Sequence, residues 1–197
     1  MELILASKSP RRLEILNNLG LSVRVMPTDA DETVTDPCSP QEFVQILAKR
    51  KASFPLPCTS DDLIIACDTV VSFEDKILGK PHDASEARQM LTLLRGKTHS
   101  VFSGLALRRG EKLFCAAERT DVCFRFYSDA EIDAYIESNE PFDKAGAYGI
   151  QGLGGMFVEY INGDYFNVMG LPVYQFGRLF AKATGSEILL FGASKLL

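Results

Sequence analysis

One segment limits the fold more than any other: the run Leu63-Ile64-Ile65-Ala66-Cys67-Asp68-Thr69-Val70-Val71-Ser72-Phe73. Its β-branched and aliphatic residues predict a strand, interrupted at Cys67-Asp68-Thr69. A carboxylate inside such a run is costly to bury unless it is paired, hydrogen-bonded or bound to a cation. Two readings of Asp68 follow. It ligates a metal or takes a proton from water, or it is satisfied by loop amides at a strand end.

The rest of the chain alternates strand and helix signals. A strand over 3–6 precedes a helix with Ser9 as N-cap, Pro10 at its first position and Gly20 as its left-handed stop. Leu13, Leu16 and Leu19 form its buried face. Ser39-Pro40-Gln41-Glu42 is a capping box that opens a second helix, with Phe43, Leu47 and Phe54 as its stripe and Lys49, Arg50 and Lys51 late in it. Glu74-Asp75 turns the long strand back through residues 76–78. A helix over 83–96 points Ala87, Met90, Leu91 and Leu94 inward, and strands over 98–107 and 112–126 follow. Ser128 and Glu131 cap another helix. Asn162-Gly163 predicts a hairpin, and Pro172 opens a last helix that Gly185 closes. Intermixed hairpins and helices favour a mixed β-sheet flanked by helices over a purely parallel one. A length of 197 residues suits a single α/β domain over 1–197.

Charge and residue usage narrow the chemistry. A net charge of −5 argues against nucleic acid as the main partner, because such binding leans on a basic excess. The five cysteines include no C-x-x-C pair, and no signal peptide or membrane-length apolar run is present, so reduced thiols in the cytoplasm are expected. His82 and His99 are the only histidines, which leaves zinc sites and histidine-activated nucleophiles poorly supplied. Carboxylates, lysines and arginines remain, and they are the tools of phosphate chemistry.

Arg11-Arg12 stands in the first turn of the first helix, where free amides and the helix dipole are already positive. A bound anion would explain the pair, with amides and guanidinium groups converging on phosphate oxygens. The competing reading is an exposed pair, in solvent or against Glu14. On the anion reading both arginines act on phosphate and contribute little to folding. Gly79-Lys80-Pro81 is not a Walker A loop, since the upstream glycine and the Ser or Thr are missing. Lys80 on a loop and Lys51 on a helix each read alone as solvated lysines. Gln151 lies between glycines, where backbone approaches a ligand closely, and its amide carries enough donor and acceptor capacity to read one edge of a base.

Taken in order, Ser7-Lys8-Ser9-Pro10-Arg11-Arg12, Asp68-Thr69-Val70-Val71, Gly79-Lys80-Pro81, the segment from Asp143-Lys144 to Gln151-Gly152, and the segment from Asn167 to Pro172 resemble the Maf family of nucleotide pyrophosphatases. The family is named for an association with septum formation. The resemblance spans the first strand to the last helix. It implies an elongated mixed sheet with two lobes around a deep cleft, similar to inosine triphosphate pyrophosphatases, and also frequent dimerisation. It implies a divalent cation; our own expectation is magnesium or manganese, held with the triphosphate by Asp68 and Glu32. By the same carry-over Asp68 is the proton acceptor, and Arg11, Thr69 and Gln151 occupy positions linked to substrate choice. Ser7, Arg12, Glu32, Lys51 and Lys80 match other cleft positions. Asp68-Thr69 with Gln151 looks like the branch acting on dTTP and UTP. Cys67 departs from the alanine expected there. Two rivals stay open: a nucleotide-sensing regulator of cell division with little turnover, and a hydrolase of another phosphoester.

Overall fold

The computed structural model describes residues 1–193. Its seven-stranded sheet runs β2 (Arg24–Val25), β1 (Leu3–Leu5), β3 (Leu63–Phe73), β5 (Thr98–Arg109), β6 (Lys112–Phe124), β7 (Val158–Asn162), and β4 (Lys76–Leu78) also pairs with β3. β1 is parallel to β2 and β3, and the remaining pairs are antiparallel. The mixed sheet is as expected from the intermixed hairpins and helices.

Contrary to expectation, β3 is not interrupted at Cys67-Asp68-Thr69. It pairs with β5 without a break from Leu63↔Arg109 to Ser72↔Ser100. The other edge of β3 is different. β1 covers it at Leu63 to Ile65 and β4 at Val71 to Phe73, which leaves residues 66–70 with no strand on that side. The break that the aspartate signalled is therefore in the neighbouring strands. The Leu63 amide donates to the Glu2 carbonyl, and the Ala6 amide donates to the Ile65 carbonyl. By strand alternation the backbone groups of Cys67 and Thr69 point at the gap.

Alternation also divides the core. Leu63, Ile65 and Cys67 face a cluster built with α1 (Pro10–Asn18) and α6 (Val173–Thr184), including Leu16, Phe176 and Phe180. Ile64 and Ala66 face Ala48 and Ala52 of α2 (Pro40–Ser53). Beyond the gap, Val71 and Val101 join a third cluster with α3 (Ala84–Leu94) and α4 (Asp129–Glu137), rich in Phe124, Tyr135, Tyr148 and Phe157. The gap in β3 thus lies where the core passes from one large cluster to the other, and a cleft of about 1040 Å³ opens there.

Most caps are as the sequence predicts. Capping boxes close Ser39–Glu42 and Ser128–Glu131, Asp83 caps α3, and Glu74 and Asp75 turn with positive φ. Four expectations are corrected. α1 buries Ile15 with Leu16, while Leu13 and Leu19 are only partly covered. α2 buries Val44, Leu47, Ala48 and Ala52, not Phe43 and Phe54. Asn162-Gly163 does not turn into a second strand, because Asp164 caps the short helix α5 (Tyr165–Met169) through the Phe166 amide. Gly185 closes α6, but α7 (Ile188–Ala193) follows it.

α2 packs on its small residues because Gly104, opposite Asp68 in the β3–β5 ladder, has no side chain. A Cβ there would run into the Val44 carbonyl of α2, far inside van der Waals contact. Helix backbone has no rotamer to give, so Gly104→Ala should push α2 off the sheet at a cost of about 1–3 kcal/mol. A fall in the urea midpoint measures this; an unchanged midpoint would show that α2 can shift freely.

Candidate active site

α2 brings its late lysine to the gap. Lys51 Nζ lies 2.6 Å from Asp68 Oδ1 and 2.8 Å from Glu32 Oε1. The Lys51 and Asp68 side chains are each only 13% exposed, so Lys51 is not a solvated surface lysine. Neither the strand-end amides nor a loop satisfies Asp68; the ammonium does. Two carboxylates turned to one positive charge form a hard-oxygen donor set of the kind that magnesium or manganese takes. Among the described residues no group of three His, Cys, Asp or Glu is arranged to hold a metal, so the remaining ligands would come from phosphate and water.

Asp68 and Thr69 point to opposite faces of β3, and the gap lets both line one cleft. On the Thr69 face lies Arg12, each of whose three guanidinium nitrogens donates one hydrogen bond. Nε donates to the Gly170 carbonyl at 2.8 Å, Nη1 to Ser7 Oγ at 2.9 Å and Nη2 to Thr69 Oγ1 at 3.1 Å. Arg12 therefore ties α1 to β3 and to the turn after α5. This corrects the expectation that it contributes little to folding.

The N-terminus of α1 itself stays open. Ser9 sits at the cap with extended backbone and makes no side-chain cap bond, so the first-turn amides are unanswered by it. Instead the Ser9 amide donates to Ser7 Oγ. Arg11 is paired with Asp143, 3.4 Å from Nη1. Asp143 also bonds Lys144. Burial works against the charged form of Asp143, but Lys144 and then Arg11 hold its carboxyl below the usual range. An incoming anion would compete with Asp143 for both cations. Lys80 lines the cleft from the loop after β4, exposed and without a protein partner among the described residues.

Gln151 also lines the cleft, on a segment of 3₁₀ turns. The glycines around it are also required by the protein's own packing. Glu140 receives the amides of Leu153 at 2.8 Å and Gly154 at 3.1 Å, together with the Tyr135 hydroxyl at 3.0 Å. A Cβ at Gly152 would collide with that same carboxylate. Burial disfavours the Glu140 charge, yet these hydrogen bonds hold its carboxyl below the ordinary value. Of the two histidines, His82 lines the cleft, while His99 is buried against Tyr148 and pushed down to about 4 by desolvation.

All nine sequence candidates (Ser7, Arg11, Arg12, Glu32, Lys51, Asp68, Thr69, Lys80 and Gln151) thus line one cleft. Asp143, Glu140 and Ser103 escaped the sequence reading. Ser103 carried a usable signal, a polar residue in the apolar stretch of β5. Asp143 carried none beyond its motif, because Arg11 lies 132 residues away, and Glu140 carried none because it is bonded by backbone amides that no residue type announces. For Arg12, three bonds from one charged group predict that Arg12→Ala loses on the order of 2–3 kcal/mol. Thermal denaturation in the absence of ligand checks this, and an unchanged midpoint would return Arg12 to a purely ligand-facing role.

A dTTP/UTP pyrophosphatase of Bacillus cereus is 46% identical over 172 residues, 87% of this chain and 90% of the relative. One from Bacillus anthracis has the same identity and the same coverage. The solved structure of the Staphylococcus aureus Ham1 protein shows a partial likeness, with a TM-score of 0.45 and 11% identity over 63% of this chain and 72% of that one. The profile described as Maf-like protein matches residues 2–183, and on that match and those relatives the chain belongs to the Maf family.

Proposed function

We propose that this protein is a nucleoside triphosphate pyrophosphatase that hydrolyses dTTP and UTP to the monophosphate and pyrophosphate. The reading rests on one observation: a largely buried aspartate paired to lysine in a cleft that also holds an open helix N-terminus, arginines and a free lysine. The names of the relatives supply the substrates. Among the described residues no helix is long and apolar enough to cross a membrane. The free cysteines fit work in the cytoplasm.

Asp68 orients a water and takes its proton as the water oxygen bonds to the α-phosphorus. The bond from that phosphorus to the bridging oxygen breaks, and pyrophosphate leaves with the electron pair. Lys51 fixes Asp68 Oδ1, and Asp68 Oδ2 has no hydrogen-bond partner among the described residues. Arg11, Lys80 and the α1 amides bind phosphate oxygens, where they offset the developing charge. Magnesium or manganese held by Asp68 and Glu32 would add charge neutralisation and lower the pKa of bound water.

Incubating the protein with magnesium and a panel of triphosphates, and measuring pyrophosphate, tests the assignment. Orthophosphate with nucleoside diphosphate would refute the bond assignment, and no turnover at all would favour a nucleotide sensor. Asp68→Asn should lower kcat by at least about 100-fold, since the amide has no basicity. The fold should survive, because Glu32 still faces Lys51. Near-normal kcat would remove Asp68 from the proton-accepting role.

Gln151 reads the uracil or thymine edge in this scheme. Its oxygen accepts from N3–H and its nitrogen donates to O4. Gln151→Glu loses that donor and sets a carboxylate against O4, a penalty on the order of 1–3 kcal/mol for UTP and dTTP. The ratio of kcat/KM for UTP over 7-methyl-GTP should fall. An identical ratio in both forms would show that Gln151 does not read the base. An amide can rotate, however, so another group must tell uracil from cytosine.

A further inference from the structure

The Arg12 fork touches two hydroxyls and leaves them with opposite capacities. Ser7 Oγ accepts from Arg12 Nη1 and from the Ser9 amide, so both lone pairs are used and its hydrogen remains to give. Thr69 is the reverse. Arg12 Nη2 can only donate, so Thr69 Oγ1 accepts from it. On its other side Thr69 Oγ1 lies 2.8 Å from Ser103 Oγ. Ser103 Oγ in turn lies 3.0 Å from the Asn167 carbonyl, which can only accept. Ser103 must therefore give its single hydrogen to Asn167, and Thr69 must give its own to Ser103. What Thr69 offers the cleft is one lone pair.

The relay is built to stay in that state. Ser103 and Asn167 are fully buried. The Asn167 side chain donates to the Val101 carbonyl and to Thr120 Oγ1, each at 3.0 Å, so its backbone carbonyl is held in place. Reversing the protons would break the Ser103–Asn167 bond and leave that buried carbonyl with the Gly170 amide alone, a loss of one hydrogen bond.

We infer that Ser103 is a positioning residue for substrate choice: it locks the Thr69 hydroxyl as an acceptor, so that this point of the cleft takes a donor from the nucleoside. The inference rests on the proposed hydrolysis of pyrimidine triphosphates. A phosphate oxygen would meet the Thr69 lone pair with another lone pair, so phosphate belongs on the Ser7 side. A 2′-hydroxyl cannot be the donor, because dTTP lacks it. Uracil and thymine share an N3–H, which the Gln151 oxygen and Thr69 Oγ1 would accept together as a three-centre bond; cytosine has a bare N3 at the same place. An acceptor-only threonine thus separates the bases that a rotating Gln151 amide does not.

The test compares kcat/KM for UTP, dTTP and CTP in the wild type, Ser103→Ala, Thr69→Val and the double variant. Ser103→Ala frees the Thr69 hydrogen to turn towards the cleft. The CTP-to-UTP ratio should then rise about tenfold, mainly through CTP, the size of one hydrogen bond gained. Thr69→Val should lower UTP and dTTP about tenfold without helping CTP, and in the double variant the CTP gain should vanish. Equal losses on every substrate in Ser103→Ala would mean a structural role, or a 3′-hydroxyl as the donor, and would overturn the inference. Should Ser103→Ala not fold, Thr69→Val still decides: an unchanged CTP-to-UTP ratio there overturns it too. A wild type that releases no pyrophosphate from any triphosphate would defeat the functional proposal itself. Hydrolysis of UTP with unmoved ratios would defeat only this inference.

Discussion

Strand β3 is paired along one edge through Ser72 and on the other edge only towards its ends, and the site follows from that asymmetry. β5 holds the strand straight through Asp68 and Thr69. With β1 stopping at Leu5 and β4 ending at Leu78, the opposite edge is left open over residues 66–70. In a complete sheet, adjacent side chains face opposite sides and share no space. Where the neighbour is missing, both reach the same opening. A carboxylate held from the α2 side and a hydroxyl held from the α1 side can then act on one ligand.

Two small features make that opening usable. Gly104 lets α2 lie close enough on the sheet for Lys51 to reach Asp68. Arg12 ties down the other face by gripping Ser7, Thr69 and the Gly170 carbonyl together. Neither acts by contributing a reactive group. Both fix where other groups can stand, and Arg12 also fixes which way hydroxyl protons point. The cations near the cleft are largely matched by carboxylates, with Lys51 on Asp68 and Glu32 and with Arg11 and Lys144 on Asp143. A triphosphate would enter by exchanging such partners. That keeps the empty cleft from carrying a large uncompensated charge.

The wall opposite is set differently. Gln151 sits on a segment whose glycines are required by Glu140, Tyr135 and Lys144 pressing on its backbone. A flexible-looking sequence is in this way cast against a rigid anchor.

The strand of Leu63–Phe73, the helix caps, the mixed sheet and the set of residues on the cleft were all legible in the amino-acid sequence. The elements rest on local rules, alternation, capping chemistry and the cost of a buried carboxylate, each readable within a few neighbours, whereas the cleft residues as a set came from the resemblance to the family. The motifs that join the chain to its family were legible in the same way. What those residues do to each other was not, because it depends on partners that folding brings from far along the chain. Lys51 reads as a solvated lysine until Asp68, 17 residues away, takes its charge. Arg12 reads as a free phosphate ligand until its nitrogens are found bonded to groups as far as 158 residues off. Asn162-Gly163 reads as a hairpin until Asp164 caps a helix instead. The capacity left on Ser7 and Thr69 is the clearest case. A hydroxyl is donor and acceptor in any sequence, and only the fixed partners around it remove one of the two.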